Sequence, residues 1–547
     1  MKRLFLLFAL LGALPVAAAE TRTCESLKDV TLAHARVTTA RVIPSGSYVR
    51  PGHGPETEYA SVPSFCLVQG LSTPVEKSHI GFEVWLPGAD SWTRRMMTVG
   101  NGAYESTLYY AQLAARVRAG DVGVATDTGH TGGADDLSFG ADNVEAIKDW
   151  GGGRSVHEAT VAAKAVINAY YGEPQRFAYF AGSSTGGHEA LNAAQRYPDD
   201  FDGIIAGAPG NYRSHLNLEF LWEFQHNHPR GDNLHQIVSN DKLLFVNKMV
   251  VKACDAIDGV KDDVISNPPD CHFDLDTLRC TGDERPGCLT ADQIATLRAI
   301  YQGPRDARTG KQLYPGFPYG SEGVMMKDTQ KFPGWSAFWA DNNDPTKPAR
   351  ADFFRLWVFH DPNWNWWSFN WGSDVDTVHR VMGPVIDATD PDLSRFRAHG
   401  GKLIMFIGWS DPVGSANEAT EYYESVVARG KGKSYGEKLA DTQSFARYYM
   451  VPGMGHTAGG PGATNMSTAT RDSAPPVEDA QHDMTLALFD WVEKGQAPDT
   501  LIGTHYSQGS GPSGKVAFER PICVYPKTPH YVGGEQDKAT SFTCGAR

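Results

Sequence analysis

Apolar residues recur along this chain with two periods. From Ile80 to Pro87 (Ile-Gly-Phe-Glu-Val-Trp-Leu-Pro) they alternate with polar ones, as on a half-buried strand. Short apolar runs at Arg95–Val99, Val122–Asp127, Phe177–Gly182, Gly203–Ala208, Leu403–Trp409 and Arg447–Val451 predict further strands. Helical spacing falls between them, over Ser155–Tyr171, closed by Gly172, and over an alanine-rich amphipathic segment that starts near Gly187. Strand and helix in turn imply an α/β protein with a mainly parallel, doubly wound sheet.

That rhythm breaks after about Asn211 and resumes only at Lys402. The interval carries cysteine pairs, aspartate-rich turns and a concentration of tryptophan, with seven of the chain's 13 between positions 335 and 371 (Trp335, Trp339, Trp357, Trp364, Trp366, Trp367 and Trp371). It reads as an inserted lid domain, 212–398, set on the active edge of a catalytic domain made of residues 20–211 and 399–547. The tryptophans are expected to roof the substrate pocket. The first 19 residues differ from everything later: Lys2 and Arg3, an apolar stretch from Leu4 to Val16, then Ala17-Ala18-Ala19. They predict a secretory signal too short to span a bilayer.

Composition sharpens this picture in two ways. A formal charge of −14 with no basic stripe argues against a nucleic-acid partner, and no later stretch has the length of a membrane helix. Eight cysteines in an exported chain predict four disulfides between sequence neighbours: Cys24 with Cys66, Cys254 with Cys271, Cys280 with Cys288, and Cys523 with Cys544. The expected location is secreted or periplasmic.

The chemistry centres on Gly182-Ser-Ser-Thr-Gly186, between the predicted strand and helix. A nucleophile elbow needs small residues two positions either side of its serine, because a Cβ there collides with strand or helix. Ser184 meets that condition with Gly182 and Gly186, and Ser183 is its neighbour. Upstream, Gly100-Asn101-Gly102 follows a strand where such a fold places one oxyanion donor. Asp411 and His456 each lie just past a predicted strand, in the order Ser, Asp, His of α/β-hydrolases. His456 is expected to accept the proton of Ser184, and Asp411 to orient the imidazole. His130, in another glycine-containing loop, reads as structural. In the insert, Asp255, Asp258 and Asp262 crowd one loop that Gly259 can bend, and oxygen ligands at that density suit Ca²⁺.

Taken together these motifs resemble the tannase and feruloyl esterase family, which includes enzymes that cleave mono(2-hydroxyethyl) terephthalate. The likeness rests on Gly100-Asn-Gly, Thr126-Asp-Thr-Gly-His130, Gly182-Ser-Ser-Thr-Gly-Gly187, Cys254-Asp-Ala-Ile-Asp-Gly-Val-Lys-Asp, Gly408-Trp-Ser-Asp411 and Val451-Pro-Gly-Met-Gly-His456. The resemblance implies a secreted serine esterase of α/β-hydrolase fold for small-molecule esters of feruloyl, galloyl or terephthaloyl type. It implies oxyanion donors at the N–H groups of Gly102 and Thr185. It also implies a structural Ca²⁺ held by Asp255, Asp258 and Asp262 with the carbonyls of Val260 and Val264. The family's usual cysteines beside the nucleophile and the catalytic histidine are replaced here by Ser183 and Thr457. A hydroxyl hydrogen bond between those two is the expected substitute, with packing at Met454 and Trp409 positioning the histidine loop. An exported serine amidase or peptidase on the same triad is the alternative, and a non-catalytic binding protein a third reading.

Overall fold

A computed structural model describes residues 22–325, 331–469, 473–507 and 514–546. The predicted signal segment lies outside them. Nine strands form one sheet: β1 (Ala35–Ile43), β2 (Phe65–Ser72), β3 (Ile80–Pro87), β4 (Arg95–Val99), β5 (Val122–Thr126), β6 (Phe177–Ser183), β7 (Gly203–Gly207), β8 (Lys402–Gly408) and β9 (Ala446–Val451). Their order is β1-β2-β3-β5-β4-β6-β7-β8-β9. The pairs from β5 through β9 are parallel, whereas β1, β2, β3 and β5 pair antiparallel. This is the α/β-hydrolase fold.

Helices make the parallel crossovers. α1 (Tyr110–Arg118) links β4 to β5, α2 (Val144–Gly151) and α3 (Arg154–Tyr171) lead into β6, and α4 (Thr185–Arg196) joins β6 to β7. The central strands are continuous apolar runs because both their faces are covered. On β6, Ala178 and Phe180 join a core with α3 and α4, while Tyr179 and Ala181 join another with Met484, Leu488 and Trp491.

Among the described residues between β7 and β8 no strand joins the sheet. The chain there supplies α5 (Arg213–His226), α6 (Asn240–Cys254), α7 (Ala291–Gln302) and α8 (Ser373–Ile386), then α9 (Ser394–His399) before β8. One apolar cluster of this stretch forms around the Cys254–Cys271 disulfide and takes in Trp335 and Trp339. A second joins Tyr104 and Trp150 of the sheet's upper edge to Leu218, Phe353 and Trp357. The insert is thus packed down on the loop that follows β4. α10 (Ala416–Ala428) and α11 (Tyr435–Gln443) precede β9, and α12 (Met484–Lys494) follows it.

Two antiparallel pairs close the chain, β10 (Thr500–Tyr506) with β11 (Val516–Cys523) and β12 (Thr528–Tyr531) with β13 (Phe542–Gly545). All four disulfides form with the predicted partners.

Candidate active site

β6 ends in a sharp turn at Ser184, whose φ of 63° and ψ of −124° lie where an L-residue is strained. Its N–H donates to the Gly207 carbonyl at 2.9 Å, which pins the turn to the end of β7. The flanking glycines are required by close approach: a Cβ on Gly182 would lie 2.5 Å from the carbonyl carbon and oxygen of Gly186. One on Gly186 would lie 3.1 Å from the Asn101 oxygen and the Gly100 backbone. Strand and helix therefore meet where no side chain fits at Gly182, and the Gly100 loop would have to give by a few tenths of an ångström to admit one at Gly186.

The two other strand ends converge on this turn. His456 Nε2 lies 2.8 Å from Ser184 Oγ, and His456 Nδ1 lies 2.8 Å from Asp411 Oδ2. A carboxylate only accepts, so Asp411 places the proton on Nδ1 and leaves Nε2 to accept from the serine hydroxyl. Asp411 is 1% exposed, and its other oxygen accepts the Val413 N–H at 2.8 Å, so the carboxylate cannot rotate away without losing a bond.

Ser183 stands apart from this arrangement. It is buried, and its Oγ has no hydrogen-bond partner among the described residues. The expected hydroxyl bond to Thr457 is therefore not made. Strand alternation turns Ser183 into the packed interior, and the elbow presents only the next residue to the cavity.

Thr185 is the first residue of α4, so its N–H is among those a helix leaves without an intrahelical acceptor. Its hydroxyl donates to the Ala103 carbonyl at 2.8 Å, and the Gly186 N–H donates to Asn101 O at 2.8 Å. These bonds hold the Gly100–Ala103 loop against the helix start. Gly102 lines the same cavity as Ser184 and His456. His130 spends its ring nitrogens on the Tyr104 carbonyl at 2.8 Å and Thr128 Oγ1 at 3.1 Å, and burial lowers its pKa. It braces the Tyr104 loop and does not line the cavity.

The cavity over Ser184 has a volume of about 240 Å³. Its aromatic walls are Tyr104, Phe220 and Phe338, the last two stacked at 5.5 Å between centroids. None of the seven tryptophans between positions 335 and 371 is among its lining residues, which corrects the expected roof. Trp335, Trp339 and Trp357 are fully buried, and Trp357 stands behind Tyr104 in an edge contact at 5.6 Å. These rings build the core of the insert, and smaller phenyl groups face the substrate space. Arg213 and Arg350 are the cavity's cations. Neither carries a motif, although Arg213 opens the first helix after β7, where α/β-hydrolase loops gather.

The aspartate loop bends at Gly259, with φ of 96°. Its three carboxylates do not converge. Asp255 Oδ1 accepts the Asp262 N–H, Asp258 Oδ2 accepts from Ser266 Oγ at 2.5 Å, and Asp262 Oδ2 pairs with Arg520 at 2.5 Å. Among the described residues no three acidic, histidine or cysteine side chains are placed to hold a metal ion. Asp262 Oδ1, however, is buried without a partner, and burial above all raises the pKa of Asp255 and Asp258, with the charge of Asp262 adding to the rise against loop hydrogen bonds that lower it. That unsatisfied oxygen and that repulsion are what a hard cation relieves.

A family profile described as tannase and feruloyl esterase matches residues 66–545. The chain belongs to the tannase and feruloyl esterase family. This esterase is 35% identical to an uncharacterised esterase of Xanthomonas campestris pv. campestris, over 98% of its own length and 93% of the relative's. It is 29% identical to feruloyl esterase C of Talaromyces stipitatus, covering 93% of this chain and 92% of that one. Among solved structures, feruloyl esterase B from Aspergillus oryzae superposes with a TM-score of 0.82 at 27% identity, over 95% of this chain and 99% of that one. The chain is a carboxylic ester hydrolase. Among the described residues no helix is long and apolar enough to cross a membrane.

Proposed function

We propose that this esterase cleaves esters of aromatic, phenolic-type acids through a Ser184–His456–Asp411 triad. The observation that carries the reading is the unbroken relay of two 2.8 Å contacts at the floor of a cavity walled by Tyr104, Phe220 and Phe338. Ser184 Oγ attacks the ester carbonyl while His456 Nε2 takes its proton, and Asp411 stabilises the imidazolium. The N–H groups of Thr185 and Gly102 receive the oxyanion. His456 returns the proton to the leaving alcohol, and a water activated in the same way releases the acid from the acyl-enzyme. Aromatic walls suit a planar acyl group, each ring contact adding roughly 0.5–1.5 kcal/mol beyond area burial. The feruloyl esterases to which the chain is similar support this substrate class.

The segment 212–398 acts in this reading as a lid, since it brings Phe220 and Phe338 to the cavity. Export follows from the amino-terminal apolar segment and fits four disulfides. A structural Ca²⁺ on Asp255, Asp258 and Asp262, with the carbonyls of Val260 and Val264, belongs to the same proposal. Its support is the partnerless Asp262 oxygen, and its occupancy requires the three carboxylates to converge.

The deciding experiment assays methyl ferulate, methyl gallate and a peptide substrate side by side, with Ser184→Ala as control. Turnover of the aromatic esters that vanishes in the variant is the expected result. Turnover of the peptide alone would overturn the reading.

A further inference from the structure

Arg213 is the one feature of the cavity that the triad leaves unexplained. It is 7% exposed and lines the space over Ser184, yet among the described residues no carboxylate lies within ion-pairing distance of it. Its Nε is buried with no hydrogen-bond partner. Nη2 makes only long contacts, 3.4 Å to Thr185 Oγ1 and 3.5 Å to the Pro209 carbonyl. A guanidinium offers five donors in a planar fork, and its bonds to anions are normally ~2.7–2.9 Å. Burying such a charge unpaired is costly, and proteins rarely leave one so.

The surroundings add little compensation: the guanidinium carbon lies 5.7 Å from the centroid of the Trp150 ring. Arg350 lines the same cavity, and its charge opposes that of Arg213. Arg350 is already bonded to Asp135 and the Ala134 carbonyl and lies over the Tyr104 ring. The nearby acid, Glu418, gives its Oε1 to the Tyr212 N–H and does not reach the guanidinium. Glu105 also lines the cavity, but its oxygens accept from the Tyr109 and Thr107 hydroxyls and it makes no ion pair with Arg213, whose fork is left unfilled beside the nucleophile.

We propose that Arg213 is a specificity-determining residue that receives a carboxylate borne by the substrate itself, so that the preferred esters carry a free acid group within one ring's reach of the scissile bond. This rests on the esterase reading above. A cavity of about 240 Å³ admits a single ring with its ester and acid groups, and Ser184 and Arg213 border the same space. The carboxylate can belong to the acyl half or to the alcohol half, and the recognising chemistry is the same for both.

Two matched pairs separate these sources: monomethyl against dimethyl terephthalate for the acyl half, and chlorogenic acid against its methyl ester for the alcohol half. The wild type is expected to favour the anionic member of one pair by at least tenfold in kcat/KM, chiefly through KM. Arg213→Gln should lose about 10²-fold on that member and no more than a fewfold on its neutral partner. Arg213→Lys should restore part of the preference. Absence of a preference in both pairs overturns the inference whether or not the variants fold. An equal loss on charged and neutral members also overturns it, and would give Arg213 to the oxyanion. A folded wild type that cleaves none of the four esters sinks the esterase reading and this inference with it.

Discussion

Ser410 donates its backbone N–H to the carbonyl of Met454 at 3.0 Å, and so the loop that presents Asp411 is tied to the loop that presents His456. One residue earlier, Trp409 donates to Val451 O at 2.9 Å. Gly408 lets the strands approach this closely, for a Cβ there would lie 2.1 Å from the Met454 oxygen. Met454 and Trp409 are both buried but belong to cores on opposite sides of the sheet. Main-chain bonds thus tie the histidine loop to the loop of Asp411, alongside the packing of Met454 and Trp409 in their separate cores.

With the two loops tied in this way, removing the functional groups of the proposed triad should leave the scaffold intact. Ser184→Ala and His456→Ala are each expected to lower kcat by about 10⁴-fold or more, and Asp411→Asn by a comparable or smaller factor. Melting temperatures should stay near the wild-type value. Retention of a tenth or more of the activity by Ser184→Ala would displace the nucleophile.

Ser183→Ala should behave in the opposite way. Its hydroxyl is buried and partnerless, so its removal deletes a desolvation cost of about 1–3 kcal/mol and no bond. The variant is expected to keep full activity and to melt at or above the wild-type temperature. A clear drop in either quantity would mean that the hydroxyl has a partner.

Glu418 gives the enzyme a pH-dependent stability. Burial is the largest influence on its carboxyl group and, with Glu421 and Asp387 nearby, pushes its pKa from 4.5 up to about 7, against the lowering effects of the Tyr212 N–H and Arg213. Below the unfolded value the group is neutral in both states and contributes nothing. As pH rises from 4.5 to about 7 the unfolded chain ionises while the native carboxyl keeps its proton, so stability falls across that window and levels off above it. Glu418→Gln keeps an acceptor for Tyr212 and loses the titration. It should match the wild type near pH 4 and exceed it at pH 8 by on the order of 3 kcal/mol. Equal pH profiles from urea denaturation would refute the assignment.

The Ca²⁺ proposal is tested by metal analysis of the purified enzyme and by chelation. A metal that binds only the folded form stabilises it by mass action. A chelator should then lower the melting temperature with little effect on the rate at low temperature. Protein free of calcium whose melting point calcium does not raise would reject the site.

What the sequence disclosed follows from how each feature is encoded. The parallel strands were legible because both faces are buried, which writes them as apolar runs, and the elbow because close approach forces glycine at fixed offsets. β1 and β2 went unread. Ala35–Ile43 buries only two of its nine residues, so its pattern carries no apolar run, and its pairing is fixed only by β2. The cavity walls were hidden for a different reason. Tyr104, Phe220 and Phe338 come from three separate segments, and no local period marks which aromatic of an insert faces a substrate. Tryptophan density pointed to the insert but stood for its core. Arg213 was silent because its significance is the lack of an anionic partner, which only packing reveals.

The two elbow glycines give the last prediction, since they differ in what their missing side chains would strike. A Cβ on Gly182 would fall 2.5 Å from the backbone of Gly186, and neither partner can yield without moving β6 against α4. On Gly186 the nearest atoms stand at 3.1 Å, a distance that a shift of a few tenths of an ångström in the Gly100 loop relieves. Gly182→Ala should therefore displace the helix start that carries the Thr185 N–H, and a misplacement near 1 Å costs ~10²-fold in rate. It should also cost stability by overpacking, about 1–3 kcal/mol. Gly186→Ala is expected to lose less in both respects, with its deficit concentrated in kcat because the loop that yields bears Gly102. Thermal melts and kcat/KM on methyl ferulate measure the two. A Gly186→Ala variant more damaged than Gly182→Ala would show that the loop after β4, rather than the strand–helix contact, sets the geometry of the nucleophile.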